Sequence, residues 1–147
     1  MFKHLLIPTD GSELSRTAAL QAVKLAKSLG ARVTAFFAAP PATPVIYDGF
    51  LPSGFTTTTE HQTMIEKTAA KYLGVIEKAC AAAGVPCESV HETNEYPAEA
   101  IIALARKRKC DLVAMASHGR RGLASVVLGS TAQKVLTQSK IPVLVYR

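Results

Sequence analysis

The sequence is most informative at first through what it does not contain. Its three cysteines, Cys80, Cys87 and Cys110, form no C-x-x-C pair, and an odd number cannot all pair within one chain. A disulfide framework is therefore excluded, and the expected role of all three is that of small core hydrophobes in a reducing compartment. No apolar run approaches the ~20 residues needed to cross a bilayer. The opening MFKHLLIPTDGSE has an apolar stretch too short for a signal-peptide core and no small-residue cleavage site. It reads as a first strand, and the expected location is cytoplasmic.

Catalytic signatures are equally scarce. There is no G-x-G-x-x-G fingerprint, no G-x-x-x-x-G-K-[S/T] loop and no G-x-S-x-G elbow. His4, His61, His91 and His118 show neither H-x-H nor H-x-x-x-H spacing. Cys87 and His91 would share a strand face, but two ligands do not make a zinc site, so no metal site built from protein ligands is expected. No constellation argues for covalent or acid–base chemistry, and no residue stands out as a base that activates water. No enzymatic activity is expected from these residues, at most a slow hydrolysis. The net charge of +6 sits largely in Arg106–Lys109 and Arg120–Arg121, without the interleaved aromatics of a single-strand platform. Nucleic acid is not the expected partner.

What is present is alternation. At 147 residues the chain suits one domain, residues 1–147, with a core that needs no cross-links. KHLLIP (3–8) is an apolar strand. Asp10 or Ser12 can cap the helix that follows, in which Ala19, Ala22, Val23, Ala26 and Leu29 recur at helical spacing before Gly30. ARVTAFFA (31–38) is a second strand. A long helix carries Ile65, Ala69, Tyr72, Leu73, Ile76, Cys80 and Ala83 on one side and ends at Gly84. CESVHET (87–93) is a weaker strand. Pro97 opens a helix with Ala98, Ile101, Ile102 and Ala105 inward, and the RKRK run is expected in its last turn, where cations suit the helix dipole. DLVAMAS, a short helix STAQKVLTQS and IPVLVYR complete the chain. Such alternation requires right-handed crossovers, hence an α/β fold with a doubly wound parallel sheet and helices on both faces. Residues 40–60, rich in proline and glycine, break the pattern and are expected to be a functional cover or a partner-contacting arm.

Ligands of such sheets bind beyond the carboxyl ends of the strands, where the strand order reverses. Three loops there carry small or polar residues: PTDGS, AAPP and ASHGRRG. The stretch MASHGRRGLASVVLGST (115–131) offers glycines for close backbone approach and a helix start with free amides and hydroxyls. Asp10 would face this loop.

LLIPTDGSE, AMASHGRRGLASVVLGSTAQKVL and IPVLVYR together resemble the universal stress protein family over essentially the whole length. The resemblance implies a five-stranded sheet of order 3-2-1-4-5, of the Rossmann-like adenine nucleotide alpha hydrolase-like type. It also implies a cytoplasmic homodimer joined through the last strand, residues 142–146. Nucleotide-binding members carry G-x2-G-x9-G-[S/T], which falls here on Ala116, Gly119, Gly129 and Ser130, so the first glycine is replaced. If that position needed φ > 0 or backbone-distance contact, the methyl group would cost about 1 kcal/mol; at an ordinary φ it would be harmless. The implied binding set is Pro8, Thr9 and Asp10 on the first strand and Ala38 on the second. Met115, Ala116, His118, Gly119, Arg121, Gly129, Ser130 and Thr131 complete it, for ATP or AMP accompanied by Mg²⁺. The implied function is a dimeric stress-response or signalling module that binds an adenine nucleotide. The alternative is a nucleotide-independent dimeric interaction protein of the same fold, and a third reading is a redox sensor using an exposed, acidified thiol.

Overall fold

The computed structural model describes residues 1–41, 58–119 and 128–147. The elements alternate as β1 (His4–Pro8), α1 (Glu13–Leu29), β2 (Arg32–Ala39), α2 (Thr58–Ala83), β3 (Cys87–Thr93), α3 (Pro97–Lys107), β4 (Leu112–Ala116), α4 (Ser130–Gln138) and β5 (Val143–Tyr146). All strand pairs are parallel, and the order across the sheet is β3-β2-β1-β4-β5. This matches the doubly wound α/β arrangement anticipated above.

Central parallel strands covered on both faces read as unbroken apolar runs, because successive side chains serve opposite layers. Leu5, Ile7, Val33, Ala35, Leu112 and Ala114 pack beneath α1 and α2 with Val23, Ile65, Leu73 and Ile76. Leu6, Phe36, Val113 and Met115 pack on the other face against Ala98, Ile101 and Leu104 of α3 and Val135 of α4. β3 lies at the sheet edge and is largely exposed, which explains its weak apolar pattern.

Helix boundaries follow local chemistry. Ser12, rather than Asp10, is the N-cap of α1 and accepts the Ser15 amide at 3.2 Å. Gly30 ends α1 at φ 65°. Two expectations need correction. Ile102 is only half-buried, and the inward face of α3 is Ala98, Ile101, Leu104 and Ala105, because α3 packs on α4 as well as on the sheet. The RKRK run also extends beyond the last turn: Arg108 is the C-cap, and Lys109 adopts a left-handed φ of 57°. No glycine was available there to take the conformation.

Candidate nucleotide site at the strand-order reversal

β1 sends its crossover toward β2, and β4 sends its own toward β5. A crevice therefore opens between their carboxyl ends. On the β1 side, the Thr9 amide donates to the Phe36 carbonyl at 2.8 Å, extending the ladder one residue past Pro8. The Thr9 hydroxyl contacts Ser15 Oγ at 2.8 Å and accepts the Gly11 amide at 3.2 Å. Asp10 Oδ1 accepts the Ser12 amide at 2.9 Å, forming an Asx turn. Gly11 has φ 78°, and a Cβ there would run into the ring of Tyr72, itself packed edge-on against Phe37 at 5.2 Å. The loop after β1 is thus fixed by its own hydroxyls and by α2 beneath it. The sequence had marked this Asp-Gly step only as a turn, and the Tyr72 contact carried no local signal.

On the β4 side, Ala116 ends the strand opposite Tyr146 and is 8% exposed. Among the described residues Lys109 is the sole non-glycine with positive φ, so Ala116 has an ordinary extended backbone. Ser117, 2% exposed, was not singled out from sequence. Its amide donates to the Tyr146 carbonyl at 2.7 Å, its carbonyl accepts the Gly129 amide at 2.6 Å, and its hydroxyl contacts His118 Nδ1 at 3.1 Å. The two ends of the 118–128 segment are thereby clasped together.

The two sides meet at Gly119. A Cβ on Gly119 would collide with the Asp10 carboxylate, 3.1 Å from its Cγ, although Gly119 itself has no left-handed φ. Glycine there leaves the Asp10 carboxylate where it is, and any larger residue would displace it. Gly129, with φ −71° and ψ 163°, is the N-cap of α4 and supplies no side chain to the first-turn amides of Ser130 and Thr131. A Cβ on it would lie 3.1 Å from His118 Cα. Both glycines let the chain pack closely against its neighbours at the two ends of this loop, with a helix start beside them, an arrangement suited to a phosphate.

The remaining members of the set fall as follows. Pro8 closes β1, and Ala38 lies near the end of β2 on the α3/α4 face. Met115 is buried in that same layer, so its side chain belongs to the core. Arg121, like Arg120, lies outside the described residues, as does most of the 40–60 segment. No three of the His, Cys, Asp and Glu side chains among the described residues group as metal ligands. No described helix is long and apolar enough to cross a membrane.

The thiols correct one expectation. Cys80 and Cys110 are buried, but Cys87 is exposed on the edge strand β3. Burial pushes the thiol of Cys80 up to about 12 and that of Cys110 up to about 11, and it raises Cys87 as well. The Cys87 thiol is thus raised, whereas the redox reading called for an exposed thiol with a lowered pKa.

Comparison with known proteins extends this geometry. The model of the universal stress protein family matches residues 1–147. A universal stress protein of Thermus aquaticus is 33% identical, covering 100% of both chains. The solved structure of a Methanocaldococcus jannaschii protein superposes with a TM-score of 0.81 at 27% identity, covering 99% of this chain and 95% of that one. A universal stress protein in complex with cAMP has the same fold, with a TM-score of 0.73 at 23% identity over 99% of this chain and 97% of the other. Structures from Archaeoglobus fulgidus, holding dAMP, and Arabidopsis thaliana, holding AMP, superpose with TM-scores of 0.62 and 0.66 at 16% and 14% identity. They cover 100% and 97% of this chain and 98% and 90% of their own.

Proposed function

The chain belongs to the universal stress protein family, and from that premise we propose that it binds an adenine nucleotide in the crevice between β1 and β4. The observation that carries this is the apposition of Gly119 and Asp10: a glycine of the loop after β4 lies directly against the carboxylate of the facing turn. Asp10 would accept from a ribose hydroxyl while its Oδ1 keeps the Ser12 amide. The amides at the start of α4 would take the phosphates, with Mg²⁺ as their counter-ion. Fold relatives that hold cAMP, dAMP and AMP support the adenine base.

Ala116 is compatible with this role. It lies in the strand with ordinary φ, so the conformational argument for glycine does not apply. Titration calorimetry of nucleotide-stripped protein with ATP and Mg²⁺ is expected to show micromolar binding, with Ala116→Gly within about threefold of it, less than the ~1.4 kcal/mol of a tenfold change. Absence of binding, restored by Ala116→Gly, would leave the interaction-protein alternative.

The proposed module is a homodimer that reports nucleotide occupancy, with hydrolysis at most slow and location in the cytoplasm. Among the described residues β5 has a strand partner on one side only, and Leu144 on it is 37% exposed. An unpaired edge with an exposed leucine suits pairing with a second copy. Sedimentation is expected to give a dimer, and Leu144→Glu to shift it toward monomer; an unaltered distribution would place the interface elsewhere.

A further inference from the structure

The nucleotide crevice makes no use of the thiols, and two of the three lie together at the opposite, amino-terminal end of the strands. Cys80 sits in the last turn of α2 and is completely buried. Gly84, with φ 71°, then turns the chain back. Its amide donates to the Ala81 carbonyl at 3.3 Å, and the Val85 amide donates to the Cys80 carbonyl at 2.9 Å. The Pro86 carbonyl accepts the Val33 amide at 2.8 Å, and β3 starts at Cys87 in register with Val33. Register partners in a sheet share a face. Val33 packs beneath α2 in one cluster with Cys80 and Val85, so Cys87 is delivered to that same side. There the Cys80 thiol lies against the Cys87 thiol and donates toward it. Cys110 packs on the other face of the sheet, with Leu6 and Phe36, and is out of reach.

The pair is asymmetric. Cys87 is exposed on the edge strand and meets solvent first, whereas Cys80 has no exposed surface. The hydrogen bond works in the same sense. Burial is the main cause that raises each thiol, but the bond from Cys80 pulls Cys87 down while it adds to the rise of Cys80. An accessible thiol that accepts from a buried neighbour is placed to attack first and then to be attacked by that neighbour. Proximity carries this arrangement, not acidity.

We propose that Cys80 and Cys87 form a reversible disulfide, stapling the end of α2 to β3, when the chain meets a small-molecule disulfide such as oxidised glutathione. The Cys87 thiolate attacks one sulfur of the oxidant and releases a first glutathione thiolate. The Cys80 thiolate then attacks the Cys87 sulfur and releases the second. The two protein thiols lose two electrons, the oxidant gains them, and the two thiol protons pass to the glutathione thiolates. Once Cys87 is in the mixed disulfide it carries no charge, so its share in raising Cys80 vanishes and burial alone remains. Both steps run through thiolates. Closure is therefore slow at neutral pH and quickens by about tenfold for each unit of pH below the thiol pKa.

The test is intact-mass analysis and peptide mapping of the native chain in excess oxidised glutathione at about pH 8.5, where an ordinary thiol is half ionised. The chain is expected to lose two hydrogen atoms and to yield a peptide pair joined through Cys80 and Cys87. Cys110 should stay open to alkylation, and dithiothreitol should restore the starting mass. C80S is expected to stop at one glutathionyl group on Cys87. Closing this short loop should raise the unfolding temperature by roughly 5–10 °C. A parent chain that also stops at one glutathionyl group on Cys87 would overturn the proposal, by showing that Cys80 cannot reach it. A covalent dimer through Cys87 would overturn it too. So would three thiols still free under conditions that oxidise them in denaturant.

Discussion

Gly119→Val is expected to weaken adenine-nucleotide binding by about 10–100-fold while lowering the unfolding temperature by no more than a few degrees. The new side chain must occupy the space of the Asp10 carboxylate. Asp10 can swing aside because it ends in a flexible group, so the fold survives. The displacement breaks the bond from the Ser12 amide and withdraws the acceptor from the ribose. A hydrogen bond to a charged group contributes about 1.5–3 kcal/mol, which is the 10–100-fold stated. Asp10→Asn separates the two effects, since an amide oxygen still holds Ser12 while the charge is gone. It should fall between Gly119→Val and the parent by calorimetry. Parent-like affinity in Gly119→Val would remove Asp10 from the site.

The second large effect concerns the sheet itself. Phe36→Ala is expected to cost about 3–5 kcal/mol, a substantial part of the 5–15 kcal/mol that stabilises an ordinary domain. Phe36 is completely buried in β2, and Leu6, Met115 and Ile101 surround it in one apolar cluster. No neighbour in the close-packed strands can move in to fill the void. Chemical denaturation should show the midpoint falling with the slope unchanged, and heating should lower the transition by roughly 10 °C for a chain of this size. Because the carbonyl of Phe36 holds the Thr9 amide, the site is also expected to loosen. A loss under about 1 kcal/mol would mean that the cluster repacks.

Much of this architecture was legible in the residues. LLI and LVAMA announce strands covered on both faces, and Ser12 and Gly30 mark the ends of α1, because those signals are local. Most of what was missed depends on partners distant in sequence, and the rest on backbone angles that no residue type announced. Cys87 looks like its two buried counterparts until β3 is placed at the sheet edge. Lys109 in a left-handed conformation could not be foreseen, since glycine is the usual sign of that turn. The motif identified Gly119 but not the reason for it, which is a carboxylate from the opposite end of the chain. The effect of alanine at position 116 rested on a backbone angle, and only the extent of β4 supplies that. Likewise, the chain His4–Thr34–Glu88 exists only because three parallel strands bring those residues into line.

The clasp between the Ser117 carbonyl and the Gly129 amide has a consequence for engineering and for evolutionary drift. A segment whose two ends are joined by a backbone bond can change length without disturbing what lies outside it. Lengthening a connection is entropically inexpensive in general, at about 0.6 kcal/mol for each doubling. The stretch between these two residues is therefore a natural cassette. A reporter domain or a recognition peptide spliced past Gly119 would sit beside the nucleotide crevice while β4 and α4 stay as they are.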